Sequence, residues 1–65
     1  MNKPYVVRVR KNEYYHGIFN ENGGINTAVR YSKENMDFNM DAAKARGWKF
    51  MEIKQDGKLV EVPYN

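Results

Sequence analysis

Asn39–Val62, NMDAAKARGWKFMEIKQDGKLVEV, carries the densest local signals in this chain and decides how the rest is read. Asn39 is a favourable helix cap, Asp41 suits the first turn, and Ala42, Ala43 and Ala45 favour helix. Lys44 and Arg46 lie where positive charge complements a helix C-terminus, and Gly47 is placed to end it. Trp48–Lys54 reads as a strand, and Asp56-Gly57 is a strong signal for a two-residue hairpin loop. With those two residues as the loop, Gln55 faces Lys58, Ile53 faces Val60 and Met51 faces Val62. Met51, Ile53, Val60 and Val62 then share the face that a short helix covers. Trp48, Phe50 and Leu59 are pushed to the outer side.

Working outward, Tyr5–Arg10 (YVVRVR) alternates as a strand, with Pro4 suited to its start. Lys11-Asn12 makes a short turn, Asn tolerating positive φ, and Glu13–Phe19 returns as a second strand. A two-residue loop pairs Arg10 with Glu13, Val9 with Tyr14 and Val7 with His16. One face carries Tyr5, Val7, Val9, Tyr14, His16 and Ile18, the other Val6, Arg8, Arg10, Tyr15 and Phe19. Asn20–Asn26 is a loop by composition, with Gly23-Gly24 its most mobile point. Thr27–Ser32 is preferred as a third strand over a helix capped by Asn26. Extending the main helix back to Lys33 sets Met36 and Met40 against Phe38 and Ala42, a poor single stripe. The expected fold is therefore α+β, one domain over residues 1–65. It is a small antiparallel or mixed sheet with one short helix on one face, in the order β-β-β-α-β-β.

Composition bounds the function. A chain of 65 residues builds a small core, and without Cys it has no disulfide to staple it. Help from a partner, a second copy included, is consistent with that size. The formal net charge of +3 argues against a mimic of DNA and permits nucleic-acid contact. No run approaches the roughly 20 apolar residues of a membrane span. The opening MNKPYVVRVRK lacks an apolar signal core, so a cytoplasmic protein is expected.

His16 is the only imidazole, and its pattern position beside Val7 and Ile18 favours a structural role over catalysis. Ser32 and Thr27, the only hydroxyl nucleophiles of their kinds, lack a base-and-orienter pattern. Asp37 and Asp41 read as solvated acids near a helix start and not as metal ligands. Neither an enzyme nor a metal or cofactor is expected. Arg8, Arg10, Lys11 and Arg30, with Tyr15 and Phe19, form the best basic and aromatic set, suited to nucleic acid or to an acidic protein surface. Trp48, Phe50 and Leu59 on the outer hairpin face form the best protein-binding set, because exposed aromatics mark interaction surfaces.

The run YVVRVRKNEYYHGIFNENG, then Tyr31, Phe38 and DAAKARGWKFMEI, resembles a loose class of small phage and prophage accessory proteins across about two thirds of the chain. That resemblance implies a non-enzymatic inhibitor that binds a host or defence protein in the bacterial cytoplasm. YVVRVRKNEYYHGIF is also similar to the first two strands of integrase N-terminal DNA-binding domains, although those domains do not require a second hairpin. The alternative it implies is a small basic nucleic-acid-binding module.

Overall fold

Four short strands and one helix make up the computed structural model, which describes residues 2–64. They are β1 (Tyr5–Arg10), β2 (Glu13–Tyr14), α1 (Lys33–Arg46), β3 (Lys49–Ile53) and β4 (Leu59–Glu61). The sheet order is β2-β1-β3-β4, and every pairing is antiparallel. The chain is thus α+β with its helix on one face. The third strand expected at Thr27–Ser32 is absent. Ile25–Thr27 forms a 3₁₀ turn instead, and only Tyr31 pairs with β1, as an isolated bridge to Tyr5. The segment still runs beside the sheet, since Val29 donates a backbone hydrogen bond to the Tyr15 carbonyl at 3.0 Å.

The helix begins at Ser32 and not at Asn39. The Ser32 hydroxyl accepts from the Asn35 N–H at 3.2 Å, satisfying one of the open donors of the first turn. Lys33 pairs with Asp37 at 2.9 Å across that turn, which places Asp37 inside the helix. Asn39 lies mid-helix, donating to the Asn35 carbonyl at 2.7 Å. Met36, Met40 and Ala43 form the buried stripe. The mismatch seen in the sequence is real, and the helix resolves it by leaving Phe38 in water. Gly47 closes the helix in the left-handed conformation, as its position suggested.

Both hairpins depart from the simple register for identifiable reasons. In β3–β4 the pairs are Met51–Glu61, Glu52–Val60 and Ile53–Leu59. The two-residue type I′ loop needs positive φ at both central residues, and here only Gly57 has it, at 86°. Gly57 donates to the Lys54 carbonyl and Lys54 to the Lys58 carbonyl, so the loop is Gln55-Asp56-Gly57, one residue longer. Because side chains alternate, that single residue shifts β4 by one place against β3, so Met51 and Ile53 no longer share a face with Val60 and Val62. In β1–β2, Arg10 faces Glu13 as expected, but Tyr14 faces Arg8, with a bulge at Val9. Asn12 takes φ of 62° in the turn. β2 ends at Tyr14, after which Asn20 donates to the Gly17 carbonyl in a new turn.

Two clusters result. On the helix side Val7 and Phe50 meet Met36, Met40 and Ala43, with Tyr5, Tyr15, Tyr31, Trp48 and Val62 around them. On the opposite side Val6, Tyr14 and Met51 lie beneath Ala28 and Ile25. The face assignment of β3 is therefore reversed, while Val62 packs on the helix side and Leu59 lies on the far side, as expected. Phe50 is fully buried beneath the helix, and Met51 and Ile53 face away from it. One helix does cover only one face, and the 3₁₀ segment covers the other. Gly23, expected to be the mobile point of its loop, instead exchanges two backbone hydrogen bonds with Tyr14, at 2.7 and 3.0 Å.

Candidate interaction site

Beside the helix lies a cleft of about 440 Å³. The bulge in β1 makes it, because it turns Tyr15 onto the helix side along with Val7. Tyr15, Tyr31, Trp48 and Phe50 form the floor, and Asn39, Ala42 and Arg46 of α1 form one wall. The turn after β2 supplies the other wall through Gly17, Ile18 and Asn20. Tyr31 meets Phe50 edge-on, with ring centres 5.1 Å apart, and Tyr15 lies 5.5 Å from Trp48. Arg46 also approaches Trp48, its guanidinium 5.5 Å from the ring centre. Burial, and secondarily Tyr15, pushes the Tyr31 hydroxyl above its ordinary pKa of 10.0.

Among the described residues, three of the five large apolar side chains that the core leaves out stand beside the cleft: Ile18 lines it, and Phe19 and Phe38 adjoin its lining residues Asn20 and Asn39 in sequence. Ile18 is 78% exposed and Phe19 96% exposed. Phe38, one turn before Ala42 on the same helix, is 89% exposed. The turn that presents Ile18 and Phe19 is braced from within. The Asn20 amide donates to the His16 carbonyl at 2.9 Å, and the His16 ring lies 2.7 Å from the Gly24 carbonyl oxygen. A Cβ at Gly23 would sit 3.2 Å from that ring, so the close approach of Gly23 is part of the same brace. His16 is a loop-closing residue, placed off the face it was expected to share with Val7.

Of the residues singled out from the sequence, the outer-hairpin set separates. Trp48 is half-buried at the cleft floor, Phe50 is wholly covered, and Leu59 lies on the other side of the sheet with Ile53. The basic set is divided as well. Arg8, Arg10 and Lys11 come together, joined by Lys49, around a shallow groove at the β1–β2 turn. Arg30 is apart from them and donates to the Lys3 carbonyl at 2.9 Å. Tyr15 belongs to the cleft, and Phe19 to its rim. Phe38 was missed as a surface residue, although its break with the Met36–Met40–Ala43 stripe was the available signal.

Among the described residues no group of three or more His, Cys, Asp or Glu is arranged to hold a metal ion. No helix among them is long and apolar enough to cross a membrane. Compared with protein-family models, curated proteins and solved structures, the chain has no match in any of the three.

Proposed function

We propose that this chain is a non-enzymatic binding protein that acts by docking on a protein partner through the cleft rim. The observation that carries this reading is the exposure of Ile18 in the wall of an aromatic-floored cleft, with Phe19 and Phe38 exposed next in sequence to its lining residues Asn20 and Asn39. Burying one such side chain is worth about 1.5–3 kcal/mol, so three left in water are a large favourable term for a protein with an apolar pocket. Clustered exposed apolar groups mark interaction sites, and aromatic anchors dominate the energetics of such contacts. The polar groups lining the cleft are the neutral amides Asn20, Asn22 and Asn39 and one cation, Arg46. The partner receives Phe19 in an apolar pocket and places a segment of its own in the cleft.

The resemblance to small phage accessory proteins supports a narrower form of the reading, in which the partner is a host or defence protein of a bacterial cytoplasm and binding inhibits it. The test is capture from a nuclease-treated bacterial lysate by immobilised parent chain and by the Ile18→Ser/Phe19→Ser variant. The captured protein is then purified and its binding reconstituted. The reading expects a protein held by the parent and lost by the variant. Equal retention by both would overturn it, and so would a purified chain whose rim is closed by a second copy of itself in light scattering.

A further inference from the structure

The positive charge of this molecule is not spread over it. Arg8, Arg10, Lys11 and Lys49 line one shallow groove of about 460 Å³, beside Gly47 at the end of α1. Lys44 and Arg46 occupy the last helical turn next to it. Lys44 and Lys49 reach the same Tyr64 ring, at 5.9 and 4.4 Å from its centre. Two carboxylates meet this group. Glu13 pairs with Arg10 at 3.0 Å, while Glu61 is shared between Arg8 at 3.2 Å and Lys49 at 3.7 Å. Six cations against two carboxylates leave a surplus of four charges, on a chain whose formal net charge is +3. The remaining five cations and six carboxylates give the rest of the molecule a charge of −1.

The fold builds this concentration. Arg8 and Lys49 are directly opposite in the β1–β3 ladder, a repulsive placement that Glu61 only partly relieves. Lys11, in the turn, has no ion pair among the described residues. Surface ion pairs of this kind are weak, about 0–1 kcal/mol, so an incoming anion readily displaces them. Guanidinium groups are also well matched to phosphate oxygens.

We infer that this basic end is a second site, separate from the exposed apolar groups although Arg46 also borders the cleft, and that it takes the phosphate backbone of a nucleic acid. An acidic protein surface is the less suitable occupant. Protein interfaces rely on apolar anchors in a core depleted of charge. Val9, half-buried, is the one apolar side chain lining the groove, and the large exposed apolar groups lie elsewhere. Backbone contact needs cations alone. Trp48 and its neighbours add no base stack here, because Tyr15 and Arg46 already pack against that ring. Binding is therefore indifferent to sequence.

Fluorescence anisotropy of labelled duplex DNA, single-stranded DNA and RNA at 50 and 200 mM salt tests this, with polyglutamate as competitor. Four neutralised phosphates predict a log–log salt slope of about −3.6 on duplex DNA, a loss on the order of 100-fold across that range. The variant Arg10→Gln/Lys11→Gln changes two exposed turn residues, and circular dichroism confirms its fold. Its slope should fall to about −1.8. Phe19→Ser should leave nucleic-acid affinity unchanged, which separates this site from the protein-binding rim. The inference is overturned by no binding to any of the three at 50 mM salt, by a slope unaltered in the Arg10/Lys11 variant, or by polyglutamate competing as well as unlabelled DNA.

Discussion

The floor and the rim of the cleft are built from the same kinds of residue and do opposite things. Phe50, Tyr31 and Val7 lie below, packed against Met36, Met40 and Ala43, and Phe50 has no contact with water. Ile18 lines the same cleft, Phe19 follows it, and Phe38 lies between Met36 and Met40 in the helix, yet all three are almost bare. In a chain this small, the floor holds most of what the single helix contributes to the fold. The rim contributes next to nothing. Hydrophobicity by itself therefore says little about role here; the layer in which a side chain ends up decides it. Substitutions should separate the two layers by their effect on stability.

The largest effect is expected at the floor. Phe50→Ala removes a fully buried ring between sheet and helix, a change that costs about 3–5 kcal/mol. That is comparable with the roughly 3–5 kcal/mol one core gives so short a chain, so the variant should be largely unfolded at 25 °C by circular dichroism. A cooperative melt close to the parent's would mean that Phe50 lies at the surface and that the face assignment is inverted.

The helix wall of the cleft should respond less. Ser32→Ala removes the cap and should cost about 1 kcal/mol in urea unfolding. Asn39→Ala, inside the same helix, should be neutral or stabilising by up to about 0.5 kcal/mol, because Ala is the better helix former. The reverse order would place the helix start at Asn39 and remove Phe38 from the helical rim.

These two substitutions also mark where the sequence was legible. The helix end was, because Lys44, Arg46 and Gly47 are adjacent and act locally. Its start was not, because Phe38 spoils the apolar stripe, and only the finished sheet shows that the helix tolerates the break. The turn at Asp56-Gly57 was legible as a place. Its length was not, since Asp-Gly suits both a two-residue loop and the Gln55-Asp56-Gly57 loop, and one residue reverses a face. Likewise Arg8, Arg10 and Lys11 are close enough in sequence to read as one group. Lys49 joins them only through the β1–β3 ladder, a pairing across some forty residues that no local pattern announces. Val9's bulge, which sends Tyr15 to the cleft, has no residue signature of its own.

A smaller effect belongs to Tyr31, at the floor but partly reachable by solvent. Its hydroxyl titrates above the ordinary value of 10.0 because burial disfavours the phenolate. With the folded pKa raised, the native state holds its proton when the unfolded chain begins to lose it. The contribution is thus fully present below pH 10 and is lost as pH rises through the folded pKa. Urea midpoints should fall from about pH 10 upward, and Tyr31→Phe should reduce that fall. An identical alkaline decline in the variant would show that Tyr31 is not responsible.

The smallest effect on stability, and the largest on function, is expected at the rim. Ile18→Ser/Phe19→Ser touches side chains that the core does not use, so its unfolding free energy should stay within about 0.5 kcal/mol of the parent for each substitution. The decisive measurement is the affinity of the purified partner for this variant and for the parent, in the same buffer used for the unfolding curves. Docking through the rim predicts a loss of at least about 2 kcal/mol, close to thirtyfold, from an intact fold. Unchanged affinity with unchanged stability would contradict it, leaving the exposed pair without a role in binding.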